Sequence, residues 1–138
     1  MIEMFAAFAL AAASRDEVPP EAWNCRNQVE VWCAADGCAA SRPEEFTPMD
    51  IWASDDGEIS VCAYTGCWEG KAAVGRVNGR LVWAGDDLAF STAQLSTDPG
   101  AASADVSLMI VTGEGVGFVR AAGLATPVLC VRGVRGRG

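Results

Sequence analysis

Six cysteines stand at positions 25, 33, 38, 62, 67 and 130, and four of them fall in a hexapeptide that occurs twice. Cys33-Ala34-Ala35-Asp36-Gly37-Cys38 and Cys62-Ala63-Tyr64-Thr65-Gly66-Cys67 share the pattern Cys-Ala-x-x-Gly-Cys. Such a pattern admits three chemistries: a four-thiolate metal site, a redox-active dithiol, or a pair of structural disulfides. Zinc sites favour Cys pairs separated by two residues, and a separation of four lies at the edge of their range. Redox dithiols are usually Cys-x-x-Cys at a helix N-terminus, where the dipole lowers the thiol pKa, whereas each copy here follows a run that alternates like a strand. A glycine near the end of a short loop suits a tight turn in which it takes positive φ. The two cysteines then face each other across a hairpin, within reach of a disulfide. The spacing therefore predicts Cys33–Cys38 and Cys62–Cys67, which leaves Cys25–Cys130 to join the ends of the domain; cross-linking of the two copies to each other is the competing arrangement.

The chain has no histidine. That removes Ser-His-Asp and Cys-His nucleophiles, imidazole acid–base catalysis and zinc sites with imidazole ligands. Carboxylate chemistry, thiol chemistry and binding survive. Paired carboxylates could hydrolyse glycosides, but a small β-domain offers little cleft for a sugar chain. Gly113-Glu114-Gly115-Val116-Gly117 has the look of a nucleotide loop but opens no helix in a βαβ unit, so it reads as a hairpin turn. Asp55-Asp56-Gly57-Glu58 and Asp86-Asp87 lack the spacing of a dedicated calcium loop and read as turns. The expectation is a non-enzymatic protein with no metal and no cofactor.

Binding chemistry is better represented. There are five tryptophans, and by alternation Trp32 shares a face with Glu30 while Trp52 shares one with Asp50, opposite the aliphatic positions. Trp68 precedes Glu69. Indoles beside carboxylates form a platform for a protein or a sugar, so Trp32, Glu30, Trp52, Asp50, Trp68 and Glu69 are the candidate binding residues. The competing reading has these rings covering a disulfide or a loop. A formal charge of -8 argues against nucleic acid and against anionic membranes. A basic protein is the leading partner class, and a carbohydrate or other small ligand the alternative.

The elements that must position these groups are strands. From Trp23 onward, short apolar runs of period two are closed by Gly, Asn and Asp pairs about every ten residues. They include Gln28–Cys33, Met49–Ser54, Glu58–Cys62, Trp68–Val77, Arg80–Trp83, Leu88–Thr92, Asp105–Val111, Val116–Arg120 and Thr126–Val131, with Asn78-Gly79 as the firmest hairpin signal and Ala84–Asp87 as a turn. The sum is an all-β, disulfide-stabilised antiparallel meander closed into a small barrel, with a β-sandwich as the alternative. Residues 1–13 read as an export signal too short to span a bilayer, 14–22 as an extended lead-in, 23–131 as one β-domain with a polar loop over 96–103, and 132–138 as a disordered basic tail. The expected location is periplasmic or extracellular, without membrane insertion. Nothing in the sequence fixes an oligomeric state.

Overall fold

The computed structural model describes residues 20–92 and 103–133. The segment expected to be an export signal, most of the expected lead-in, nearly all of the 96–103 loop and the tail beyond Gly133 lie outside those residues. Among the described residues eleven strands form one antiparallel sheet: β1 (Ala22–Asn27), β2 (Val31–Ala34), β3 (Gly37–Ala40), β4 (Met49–Ser54), β5 (Glu58–Ala63), β6 (Gly66–Lys71), β7 (Ala73–Val77), β8 (Arg80–Thr92), β9 (Ser103–Val111), β10 (Val116–Ala121) and β11 (Leu124–Arg132). Eight of them run in the order β1-β4-β5-β6-β8-β9-β10-β11 and close into a barrel, because β1 pairs with β11 as well as with β4. Closure leaves those strands no bare pairing edge. The expected barrel is therefore the fold, and the sandwich is set aside.

Alternation explains which side chains fill it. Met49, Ile51 and Ala53 on β4, Ile59, Val61 and Ala63 on β5, and Val106, Leu108 and Ile110 on β9 are buried, while Asp50 and Glu58 face solvent. Each large aliphatic side chain so buried contributes roughly 1.5–3 kcal/mol. Trp23 and Trp83 complete the core, and the Trp83 indole N–H donates to the Ser54 carbonyl at 2.7 Å. Among the described residues no helix is long and apolar enough to cross a membrane.

Turn chemistry follows the sequence at Asn78-Gly79 and departs from it at Ala84–Asp87 and at Gly66. Asn78 and Gly79 both take positive φ, 46° and 78°, which is the twist a two-residue hairpin requires. Ala84–Asp87 is not a turn. β8 runs unbroken through it, with a bulge between Gly85 and Leu88 that absorbs Asp86 and Asp87. Bulges and turns draw on the same residues, those that tolerate positive φ, and Asp87 sits at φ 59°. Its N–H donates to Asp105 Oδ1 at 2.9 Å and its carboxylate accepts from Ser103 Oγ at 2.5 Å, so β9 holds the bulge in place. The consequence is a strand that pairs first with β7 and then with β6 without reversing.

All three disulfides pair as the spacing predicts: Cys25–Cys130, Cys33–Cys38 and Cys62–Cys67. Each joins residues directly opposed across two strands, and Cys25–Cys130 lies on the β1–β11 seam that closes the barrel. Between β1 and β4 the chain leaves the barrel for residues 28–48, which carry the β2–β3 hairpin. Buried Asn27 gathers both ends of this excursion, donating to the carbonyls of Val29 and Thr47 at 2.9 Å and accepting from the Met49 N–H at 2.8 Å.

Candidate functional site

Strand directions place the excursion, the Tyr64-Thr65 turn and the Ala122-Gly123 turn at one rim of the barrel. There the two cysteine hexapeptides meet. Trp32, beside the first clamp, lies 6.2 Å from Tyr64, in the turn of the second, with the rings tilted by 31°. Both are open to solvent, at 41% and 52%. Beneath the indole lies Gly123, where an added Cβ would come within 2.8 Å of the Trp32 ring. The Cys33 N–H donates to the Gly123 carbonyl at 2.9 Å, and the Arg120 guanidinium donates to the Cys33 carbonyl at 3.0 Å. The hydroxyl of buried Thr126 accepts from the Val31 N–H and donates to the Val31 carbonyl, both at 3.1 Å. These bonds fasten β2 to β10, to β11 and to the turn between them.

Glu30 anchors the pair from below. Sequence alternation places its carboxylate on the outer face beside Trp32, but only 5% of the residue is exposed. The reason is that its oxygens are taken up inside the excursion, accepting from the Tyr64 hydroxyl at 2.5 Å and from the Thr47 N–H at 2.9 Å. Burial pushes its carboxyl up, but the bonds from Tyr64, Thr47 and Trp32 outweigh that and hold it below the usual carboxylate range. Tyr64 moves the other way: burial of its hydroxyl end, with the bond to Glu30 and the Glu30 charge, pushes the phenol up to about 12. At neutral pH a carboxylate therefore accepts from a phenol, and the outer faces of the rings stay free for contact.

The glycines of the two hexapeptides turn out to serve different ends. Gly37 takes positive φ (143°), as the turn reading requires. Gly66 does not; Tyr64, at φ 59°, absorbs the positive dihedral instead. Position 66 needs glycine for space, since a Cβ would lie 2.3 Å from the Ser91 carbonyl oxygen and 2.6 Å from the Phe90 ring.

The other candidates separate. Trp52 and Glu69 share a row on the outer wall of β4–β6 through Ser60, whose hydroxyl donates to Glu69 Oε2 at 3.1 Å. With Glu58 and Lys71 they line a cleft of about 330 Å³. Asp50 lies one row away and pairs with Arg26 at 3.8 Å, an exposed contact worth at most about 1 kcal/mol. Trp68 does not reach the surface. It registers with Val61 and Phe90 on the inward face, is 5% exposed, and packs its ring 4.7 Å from that of Phe90. The structure thus joins Trp32 to Glu30, groups Trp52 with Glu69, and removes Trp68 from any binding surface. Tyr64, Thr47, Arg120 and Gly123 enter the site unannounced; the one hint was Tyr64's place in the second hexapeptide. All six sulfurs are in disulfides, so none is a thiolate ligand. Among the described residues no group of three or more Cys, Asp or Glu is arranged to hold a metal. No known protein family, curated protein or solved structure matches this chain.

Proposed function

We propose that this is an exported, non-catalytic binding domain that takes a basic protein partner on the Trp32–Tyr64 rim. One observation carries the reading: two large rings are exposed together, each beside a hairpin disulfide and tied down by bonds or close packing from below. Two hairpin disulfides, the Glu30 carboxylate and the Gly123 backbone fix their positions. Pre-placed aromatic anchors lose little entropy on binding, which is why such residues dominate interface energetics. Exposed Asp36, Glu44 and Glu45 lie in the same excursion against one cation, Arg42, which pairs with both glutamates at 3.7 and 3.9 Å; the net acidic surround favours a cationic partner and speeds its approach. Three disulfides are compatible with an oxidising, exported location. The test is retention of basic proteins from periplasmic or extracellular extract, followed by titration of the retained protein. Trp32→Ala with Tyr64→Ala is expected to weaken binding about 30-fold or more in a protein that still unfolds cooperatively but melts lower for want of the Tyr64–Glu30 bond, and affinity should fall steeply with ionic strength. Binding indifferent to salt and to both substitutions would refute the reading.

A second reading rests on the wall cleft. One half-buried indole, Trp52, beside Glu58, Ser60, Glu69 and Lys71 supplies a stacking face and hydrogen-bonding groups of the kind a neutral sugar uses. The barrel interior does not serve this role, because core side chains fill it. Saccharide binding that quenches tryptophan fluorescence, ignores salt and disappears in Trp52→Ala would favour it over the first.

A further inference from the structure

The outer wall of a soluble barrel should be polar, since its inner positions already take the apolar residues. Over β9–β11 it is not. One outward row across β8–β11 reads Arg80-Val111-Val116-Leu129, and the next reads Val82-Met109-Phe118-Pro127. Val116, Phe118, Leu129 and neighbouring Val131 are 43%, 45%, 49% and 67% exposed. Together they leave on the order of 400 Å² of contiguous apolar surface, the size of the largest patch on an ordinary monomer, which is often a functional one.

We infer that this face is an isologous interface with a second copy of the chain. The argument is that the face is complementary to itself. A two-fold axis lying between the two rows and across the strands sets each row against the other row of the second copy. Val116 then meets the partner's Phe118, and Leu129 meets the partner's Pro127. The same rotation carries Glu114, two residues before Val116 in an exposed turn, onto the partner's Arg120, two residues beyond Phe118. Symmetry repeats that ion pair on the other side. Arg120 spends one donor on the Cys33 carbonyl and has others for a carboxylate. The charges around the face are of both signs, Arg80 and Glu114 toward one end and Arg120 and Asp105 toward the other, which suits a self-complementary contact better than a uniformly anionic membrane. The apolar area falls short of the ~800 Å² that each side of a stable dimer buries, so the polar residues bordering this face must contribute and the affinity belongs in the micromolar range.

Sedimentation equilibrium of the oxidised protein from about 1 to 200 μM, a range that brackets micromolar dissociation, tests the inference. The expected result is a concentration-dependent shift from one chain mass to two. Phe118→Arg and Leu129→Arg, both at exposed positions, are each expected to weaken the dimer at least about tenfold with unchanged melting. Glu114→Arg should weaken it comparably by setting like charges together, and adding Arg120→Glu should restore most of the loss. A single-chain mass at every concentration overturns the inference, and so does a monomer that floats with anionic vesicles. Dimers indifferent to both arginine substitutions, or a charge swap that restores nothing in a protein of unchanged melting, overturn it equally.

Discussion

Tyr64 is the single tyrosine of the chain, so its ionisation can be read without ambiguity from tyrosinate absorbance. The folded protein should titrate near the raised value of about 12, and Glu30→Gln should bring the midpoint down toward the ordinary value near 10 by removing the neighbouring charge. The stability consequences of the two groups have opposite senses. Glu30, whose carboxyl sits low in the fold, contributes stability present at neutral pH and lost as the pH falls through its folded value. Tyr64, whose phenol sits high, contributes stability present below about 10 and lost as the pH rises to about 12. Tyr64→Phe should leave Glu30 buried with one donor fewer and cost about 1–3 kcal/mol in denaturant unfolding. None of this was visible in the sequence, because Glu30 and Tyr64 are 34 residues apart and alternation alone puts Glu30 in solvent. The excursion that buries it leaves the barrel wall, and period-two reasoning assumes a wall.

At the level of elements, the two hexapeptides make a paired experiment. Gly66→Ala forces a Cβ against the Ser91 carbonyl and the Phe90 ring and is expected to cost about 3 kcal/mol, the overpacking penalty. Gly37→Ala meets open space and pays only the backbone strain of its positive φ, about 1 kcal/mol. Chemical denaturation of both variants should preserve that order. The disulfides were legible because identical spacing, a turn glycine and flanking strands all pointed to the same hairpin. The barrel was legible for a similar reason: Asn78-Gly79, Asp55-Asp56-Gly57 and the Gly113–Gly115 segment are local signals, and short connections make sequential strands neighbours. The β8 bulge was not, since Ala84–Asp87 has turn composition and only the register of β9 shows that the strand continues. Trp68 was likewise assigned by composition where pairing with Val61 and Phe90 decides its face.

For the whole molecule, the decisive bond is Cys25–Cys130. Closing a loop with a sequence separation of 105 contributes nearly 5 kcal/mol in the chain-entropy account, against about 2 kcal/mol for either hairpin clamp. Replacing Cys25 and Cys130 with Ala should therefore lower the melting temperature by much more than replacing Cys33 and Cys38 with Ser. An equal loss from both would show that strand pairing alone holds the seam. Beside that bond the Gly133 N–H donates to the Ala22 carbonyl at 3.0 Å, so the two ends of the described barrel already touch. Topologically the domain is a covalent ring. A protease that cuts once at the exposed Asn78-Gly79 turn would open the ring without dividing it, leaving one covalently joined particle, heavier by a single water, that separates into two pieces only when it is reduced and unfolded. The same closure makes that turn a natural place to begin a circularly permuted chain whose old ends are joined by a short peptide.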